Sequence, residues 1–172
     1  MSTAFQVAPS PVATTPTKGL RTTFVVLSIA SALAVAGALS FAGLGLADAS
    51  VAEFATAQAA AAFAALAHQA AIAVALVWLH RAWSAIPTEL RGGRTPTEAF
   101  LLLVPGYGLY WMFAYNHALA HATARASGRP TPDSVTSAAT LAGILQLVPF
   151  LNVLVAPFAW ARFMGRVDEL RG

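Results

Sequence analysis

The sequence predicts an all-α integral membrane protein with four hydrophobic helical segments, of which the last two are broken at proline. Two observations lead to this prediction. Hydrophobic residues make up 58% of the 172 residues and charged residues only 10%, against roughly 25% charged in an ordinary soluble domain. Four apolar segments also follow one another at about 22–47, 54–80, 97–122 and 135–161. Lipid is therefore expected to cover most of the exterior.

The first 21 residues are expected to form a flexible cytoplasmic tail ahead of a single helical membrane domain at 22–172. They are rich in Ser, Thr, Ala and Pro, a composition that buries too little apolar surface to fold alone. The absence of cysteine excludes disulfides and thiolate metal sites. The net charge of +3 is expected to reflect cytoplasmic loops rather than binding to nucleic acid.

The first two apolar segments predict a hairpin of membrane-spanning helices. The segment 22–47 carries no charge, and at ~1.5 Å per residue it exceeds a hydrocarbon core of ~30 Å. A signal peptide is the alternative, but its apolar part is only roughly 7–15 residues long, so a retained span is favoured. The segment 54–80 lacks Asp, Glu, Lys and Arg and ends beside Trp78, Arg81 and Trp83, an interfacial belt.

Proline and glycine interrupt the third and fourth segments. We expect helix breaks at Pro105, Gly106 and Gly108, and again at Pro149 and Asn152, because proline removes a helical hydrogen bond and glycine is a poor helix former. The two breaks recur at an interval of 44 residues. Such a period indicates two copies of one helix–break–helix unit.

Two topologies are compatible with these breaks. If all four segments cross as kinked spans, eight of the ten basic residues are cytoplasmic, as are both termini. If the last two segments are re-entrant hairpins, all ten basic residues are cytoplasmic, but the hairpins must then pack against the first two helices. The length of each whole segment favours four crossings. Basic and acidic residues alternate at 162–172, so this end is expected to be solvated.

Histidine is the residue type that raises a specific hypothesis about chemistry. His68 lies near the middle of the second segment, while His117 and His121 are four residues apart and share a helical face. A polar side chain at mid-membrane is a functional candidate. One hypothesis is that His68 and either His117 or His121 ligate haem b, and another is a metal site at the latter pair. The favoured interpretation is that neutral His68 and Gln69 form hydrogen bonds to neighbouring helices, without cofactor or metal. His117 and His121 are then expected to lie near the membrane interface.

The remaining features favour a non-enzymatic protein of the bacterial inner membrane. The acidic residues lie in loops or at helix ends, so no pair of carboxylates for acid–base catalysis is evident. Small residues along the first segment allow another helix to approach closely. We therefore expect an accessory or scaffolding subunit whose partners are lipid, other membrane subunits or a second copy. A small transporter or channel that uses the broken helices is the alternative.

Four motifs of this chain occur together in a known group of proteins. They are Trp-Ser-Ala-Ile-Pro at 83–87, Arg-Thr-Pro at 94–96, Val-Pro at 104–105 and Val-Pro-Phe-Leu-Asn at 148–152. Over a little more than half of its length, the chain resembles small bacterial integral membrane proteins of unknown function with paired broken-helix segments. The resemblance implies no activity, cofactor or catalytic residue. This sequence departs from the pattern at 106–108, where the first break is expected to be tighter or more mobile.

Overall fold

The structure, a computed structural model, describes residues 17–43, 50–104, 106–148 and 150–172. Every regular element within these ranges is helical, which confirms the all-α prediction. The predicted breaks Pro105 and Pro149, and residues 1–16 of the predicted tail, lie outside the described residues. The elements are α1 (Lys18–Gly43), α2 (Val51–Ser84), two 3₁₀ helices (Thr88–Leu90 and Pro96–Leu103), α3 (Tyr107–Ala126), α4 (Asp133–Leu147), α5 (Leu151–Leu154) and α6 (Ala156–Arg171).

Helices α1 and α2 form an antiparallel pair, and both are long and apolar enough to cross a membrane by length and composition. Ser50 begins α2: its Oγ accepts the N–H of Glu53, whose carboxylate accepts the N–H of Ser50 at 2.7 Å. This reciprocal capping satisfies two amide groups that the first helical turn leaves free. The hydroxyl of Ser31 donates to the carbonyl of Ala64 at 3.0 Å, which fixes the register of the pair.

The outward faces of α1 and α2 are strongly apolar. Only 17% and 22% of the residues in their most apolar 18-residue windows are buried inside the protein, whereas a core helix of a soluble domain is mostly buried. Far from the ends that contact the other helices, large apolar side chains such as Leu33 (69% exposed) and Leu66 (71%) face outward. These helices therefore leave a large apolar surface uncovered by the chain itself.

The third segment folds back on itself instead of continuing in one direction. The 3₁₀ helix begins at Pro96, and α3 returns beside it. The indole Nε1 of Trp111 donates to the backbone carbonyl of Glu98 at 3.1 Å. The hydroxyl of Tyr115 donates to the backbone carbonyl of Thr95 at 3.0 Å. The later residue of α3 therefore contacts the earlier residue of the other arm, so the two arms are antiparallel. The segment is therefore a hairpin held together by two aromatic side chains.

The fourth segment has the same kind of break. Gly106 (φ 77°, ψ −54°) and Phe150 (φ 66°, ψ −42°) adopt nearly the same left-handed backbone conformation. An equivalent backbone hydrogen bond closes each turn. In the first, the N–H of Gly108 donates to the carbonyl of Val104 (2.8 Å), and in the second, the N–H of Asn152 donates to the carbonyl of Val148 (3.1 Å). The 44-residue sequence repeat therefore corresponds to a repeat of backbone geometry.

Helix α6 differs from the expectation of a solvated end, which was wrong. It continues to Arg171, and Phe163, Val167 and Leu170 are 0%, 0% and 6% exposed. These residues recur at helical spacing, so they form one buried face, while Arg162 and Glu169 lie on the exposed side. The alternation of charges concealed an amphipathic helix.

The core of the protein lies between the carboxyl-terminal half of α2, both hairpins and α6. Its largest fully buried side chains include Trp78, Trp83, Tyr115 and Phe163. The ring of Trp83 lies 5.1 Å from that of Tyr115, and the ring of Trp78 packs edge-on against Phe163 at 6.0 Å. Aromatic packing thus fixes both hairpins against α2.

A set of polar contacts holds four helix ends together at one end of the molecule: the start of α1 and the ends of α2, α3 and α6. The hydroxyl of Thr17, just before α1, donates to Asp168 of α6 at 2.7 Å. The guanidinium of Arg171 donates to the carbonyl of Ala82 in α2 at 2.6 Å and lies 3.8 Å from the carboxylate of Asp168. Burial lowers the pKa of Arg171, and the charge of Asp168 opposes this shift. Similarly, Arg125 near the end of α3 donates to the first 3₁₀ helix.

Candidate functional site

A cavity of about 330 Å³ lies where the tips of both hairpins meet α1 and α2. Side chains from α1, α2, the second 3₁₀ helix, α3 and α6 form most of its wall, and Gly106 and Asn152, next to the two helix breaks, also line it. The hydrogen bond from Ser31 to Ala64 sets the register that brings Ser28 and His68 to the same level of the helix pair. The lining includes Phe24, Ala71, Ala75, Leu79, Met112 and Trp160.

The polar part of the cavity wall is small and uncharged. Five side chains with hydrogen-bonding groups line it: Ser28, His68, Gln146, Asn152 and Trp160. None of the described residues that line the cavity is Asp, Glu, Lys or Arg. A mostly apolar wall with a few convergent polar groups is the usual character of a small-molecule site.

Ser28 is the polar group of the cavity with the most specific geometry. It is 5% exposed, and its Oγ has no hydrogen-bond partner among the described residues. Thr22, Thr23 and Ser40 on the same helix each donate to the carbonyl four residues earlier, as hydroxyls in helices commonly do. The hydroxyl of Ser28 therefore retains its capacity to bond to a molecule in the cavity.

The hairpins hold their tips in place through contacts well away from the cavity. The guanidinium of Arg94 lies 4.2 Å from the centre of the Trp111 ring, a favourable contact between a cation and an aromatic face. Arg94 also lies 3.6 Å from the carboxylate of Glu98. Trp111 is in turn bonded to the Glu98 carbonyl. The base of the first hairpin thus positions Gly106, Gly108 and Leu109 at the cavity.

Gly108 has a steric role at the first tip. A Cβ atom at this position would lie 2.5 Å from the carbonyl oxygen of Leu102, so only glycine allows the returning helix to pass so close to the 3₁₀ helix. Asn152, at the equivalent position of the second break, carries a side chain that lines the cavity.

His117 and His121 lie in a different place, beside α4. The Nε2 atom of His117 is 2.9 Å from the hydroxyl of Thr140, which itself donates to the carbonyl of Thr136. Since that hydroxyl has only one hydrogen, His117 must donate from Nε2. The Nδ1 atom of His121 is 2.9 Å from the hydroxyl of Thr131.

These placements bear on the two cofactor hypotheses. His68 lines the cavity, whereas His117 lies in a shallow surface groove between α3 and α4. His117 contacts Thr140 of α4, whereas His121 contacts Thr131 in the loop before that helix. The part of the chain that the structure describes contains no cluster of three or more metal-ligating side chains. Haem ligation by His68 with either partner remains a hypothesis.

The cavity brings together four of the residues singled out from the sequence: His68, Gly106, Gly108 and Asn152. Sequence reasoning did not select Ser28 as a site residue. Its sequence context gave little indication, because a serine in an uncharged helix ordinarily bonds to its own backbone.

The chain matches no family model, and neither a curated protein nor a solved structure is significantly similar to it. The resemblance to small membrane proteins with paired broken helices therefore stays a prediction. Among the described residues, the cavity and its polar side chains are the features that bear most directly on function.

Proposed function

We propose that this chain is a bacterial inner-membrane protein with two spans, α1 and α2, and two re-entrant hairpins. The low internal burial of the two long helices supports a lipid environment. The hairpin geometry supports re-entry rather than four crossings, since Tyr115 lies level with Thr95 at the start of the same segment. Non-helical backbone within a membrane must be shielded by protein, and both breaks pack against α1 and α2 at the cavity.

The proposed orientation places both termini and both hairpin bases in the cytoplasm. Contacts from Thr17 to Asp168, from Arg171 to Ala82 and from Arg125 to the first 3₁₀ helix gather these regions at one end. Basic residues accumulate on the cytoplasmic side of membrane proteins. Arg162 and Arg166, on the outer side of α6, then lie toward the cytoplasmic surface, where long arginine side chains reach water.

Labelling of single cysteines tests this topology, and the natural absence of cysteine makes the experiment clean. Val51→Cys, Thr88→Cys and Ser134→Cys replace exposed residues. In intact spheroplasts we expect a membrane-impermeant maleimide to label only Val51→Cys. The other two should react only after lysis. Labelling of Ser134→Cys in intact spheroplasts would instead support four crossings, because that topology places the loop between α3 and α4 outside.

Within this topology, we propose that the protein binds a small lipid-soluble molecule inside the membrane. The observation that carries the proposal is the cavity at the hairpin tips, since about 330 Å³ lies within the range of roughly 300–1,000 Å³ for ligand sites. Ser28 lies six residues after Thr22, where the uncharged run of α1 begins, or about 9 Å along the helix. The cavity is therefore inside a hydrocarbon core of ~30 Å, in its cytoplasmic half.

Binding fits the geometry better than transport or catalysis. Beyond the cavity only α1 and α2 continue through the other half of the proposed membrane, and two helices do not enclose a pore. A transporter would need several copies. For catalysis, the described cavity wall offers one imidazole and no carboxylate or other charged group to work with it. We accordingly keep the proposal that the protein is not an enzyme and has no bound cofactor.

A role as an accessory or scaffolding subunit is the second candidate, and the uncovered surface of α1 and α2 favours it. Leu33, Leu39, Phe54 and Phe63 are 49–69% exposed in the half of the helix pair away from the hairpins. We propose that lipid, helices of another subunit or a second copy cover this surface. Cross-linking through Leu33→Cys in native membranes should give a defined adduct if a protein covers it. A lack of any adduct would argue for lipid alone.

Filling the cavity tests the binding function. Ala75 lines the cavity, whereas Ala73 on the same helix is exposed outside it. Ala75→Phe should lower the affinity for a bicyclic probe such as naphthalene at least tenfold, because the added ring occupies the space of the ligand. Ala73→Phe is the matched control and should leave the affinity unchanged. Titration calorimetry in detergent micelles measures both. Equal affinities for the two variants would contradict the proposal.

A further inference from the structure

We infer that the molecule bound in the cavity is uncharged, with a ring-sized body and a carbonyl or hydroxyl oxygen that accepts a hydrogen bond from Ser28. This inference rests on the proposed binding function and adds the chemical class of the ligand. Three independent properties of the cavity lead to it: the charge of its wall, the unused hydroxyl of Ser28, and its volume.

The charge of the wall excludes ionised ligands. No described lining residue is Asp, Glu, Lys or Arg, so no charged side chain among the described residues contributes to the cavity wall. An ion transferred into such surroundings loses its hydration without gaining a counter-charge, which is strongly unfavourable. Fatty acids and anionic lipid head groups therefore do not fit, whereas neutral molecules do.

The hydrogen-bond donors of the cavity wall favour a ligand that carries an acceptor oxygen. Ser28, His68, Gln146 and Asn152 can each donate a hydrogen bond. The hydroxyl of Ser28 is buried and without a partner among the described residues, and a buried polar group that stays unpaired is destabilising. A carbonyl or hydroxyl oxygen placed beside Ser28 removes this penalty. A pure hydrocarbon of the same shape cannot do so, and this difference is the basis of the predicted selectivity.

The volume of the cavity limits the size of the ligand's ring system. About 330 Å³ is roughly twice the ~150 Å³ of an apolar cavity that accommodates benzene. A fused two-ring body fits this space beside Trp160 and Met112. Lipid-soluble quinones and related ring alcohols share this chemistry: a flat neutral ring system with oxygen acceptors, which reaches the cavity through the membrane.

The test compares two probes of the same shape, naphthalene and 1,4-naphthoquinone, and uses 2-naphthoate as the charged analogue. Ser28→Ala removes the free hydroxyl with almost no change in volume. Ser40→Ala, about three turns along the same helix, removes a hydroxyl that is already bonded to the carbonyl of Ala36 and does not line the cavity. Each affinity is measured by calorimetry in the same micelles and expressed as the ratio of variant to wild type, so that partition of the probe into detergent cancels.

We expect Ser28→Ala to weaken binding of the quinone about fivefold to tenfold, the effect of one hydrogen bond, and to leave naphthalene unchanged. Ser40→Ala should change neither ratio, and 2-naphthoate should not bind. If naphthalene and the quinone respond equally to Ser28→Ala, or if the charged analogue binds as well as the quinone, the ligand class is wrong while the cavity remains a binding site. If neither neutral probe binds to the wild type, the binding function itself is wrong.

Discussion

Gly108→Ala is expected to lower the free energy of unfolding by at least about 3 kcal/mol, the upper end of the usual cost of overpacking. The added methyl group would lie 2.5 Å from the carbonyl oxygen of Leu102. Because the obstacle is backbone, it cannot rotate away as a side chain would. Relief of the clash requires the 3₁₀ helix and α3 to separate, which also opens one wall of the cavity. Thermal unfolding in detergent and binding of naphthalene should therefore be impaired together.

Gly37→Ala is the matched control for this substitution. Gly37 lies inside α1, and a Cβ atom there meets nothing within 4 Å. Alanine should stabilise the helix by about 0.5–1 kcal/mol, because glycine loses more backbone freedom when it becomes helical. Equal effects of the two substitutions would show that Gly108 is not held against Leu102.

Arg171→Met is expected to destabilise the protein by about 3 kcal/mol, a typical cost when one member of a buried ion pair is removed. The side chain of Arg171 is 6% exposed and that of Asp168 is 12% exposed. Methionine preserves much of the apolar stem but removes the bond to the carbonyl of Ala82 and leaves the carboxylate of Asp168 without its cation. The ends of α2 and α6 should separate, with a lower unfolding temperature and faster proteolysis near the carboxyl terminus.

Arg166→Met separates this effect from the mere loss of a positive charge. Arg166 pairs with Glu169 at 2.9 Å, but their side chains are 40% and 64% exposed. An exposed ion pair is worth only about 0–1 kcal/mol, so this variant should unfold close to the wild type. If Arg166→Met is as damaging as Arg171→Met, the net charge of α6 matters more than the buried contact.

The positions of the long helices could be predicted because they depend on local properties. An uninterrupted apolar run specifies where α1 and α2 form, without reference to any distant residue. The breaks near Gly106 and Asn152 were predicted for the same reason, since the helix-breaking effects of proline and glycine are local. The bounds were less accurate: α1 begins at Lys18, four residues before the predicted segment.

The direction of the chain after each break could not be predicted in the same way. Each whole segment is long enough to cross a membrane, and this length favoured four crossings. The fold-back depends on Trp111 and Tyr115 reaching carbonyl groups 13 and 20 residues earlier. The charges of α6 obscured its buried face for a related reason, since its burial depends on where α2 and α4 lie.

The sequence by itself determined that this chain is helical, strongly apolar and broken twice in the same manner, because these properties follow from composition and from neighbouring residues. Only the tertiary structure decided that both segments fold back and that their tips meet Ser28 and His68 around one cavity. It also decided that Ser28, unlike Ser31 and Ser40 on the same helix, has no partner among the described residues. The physical reason is that hydrogen-bond satisfaction and enclosed volume depend on which distant helices come together.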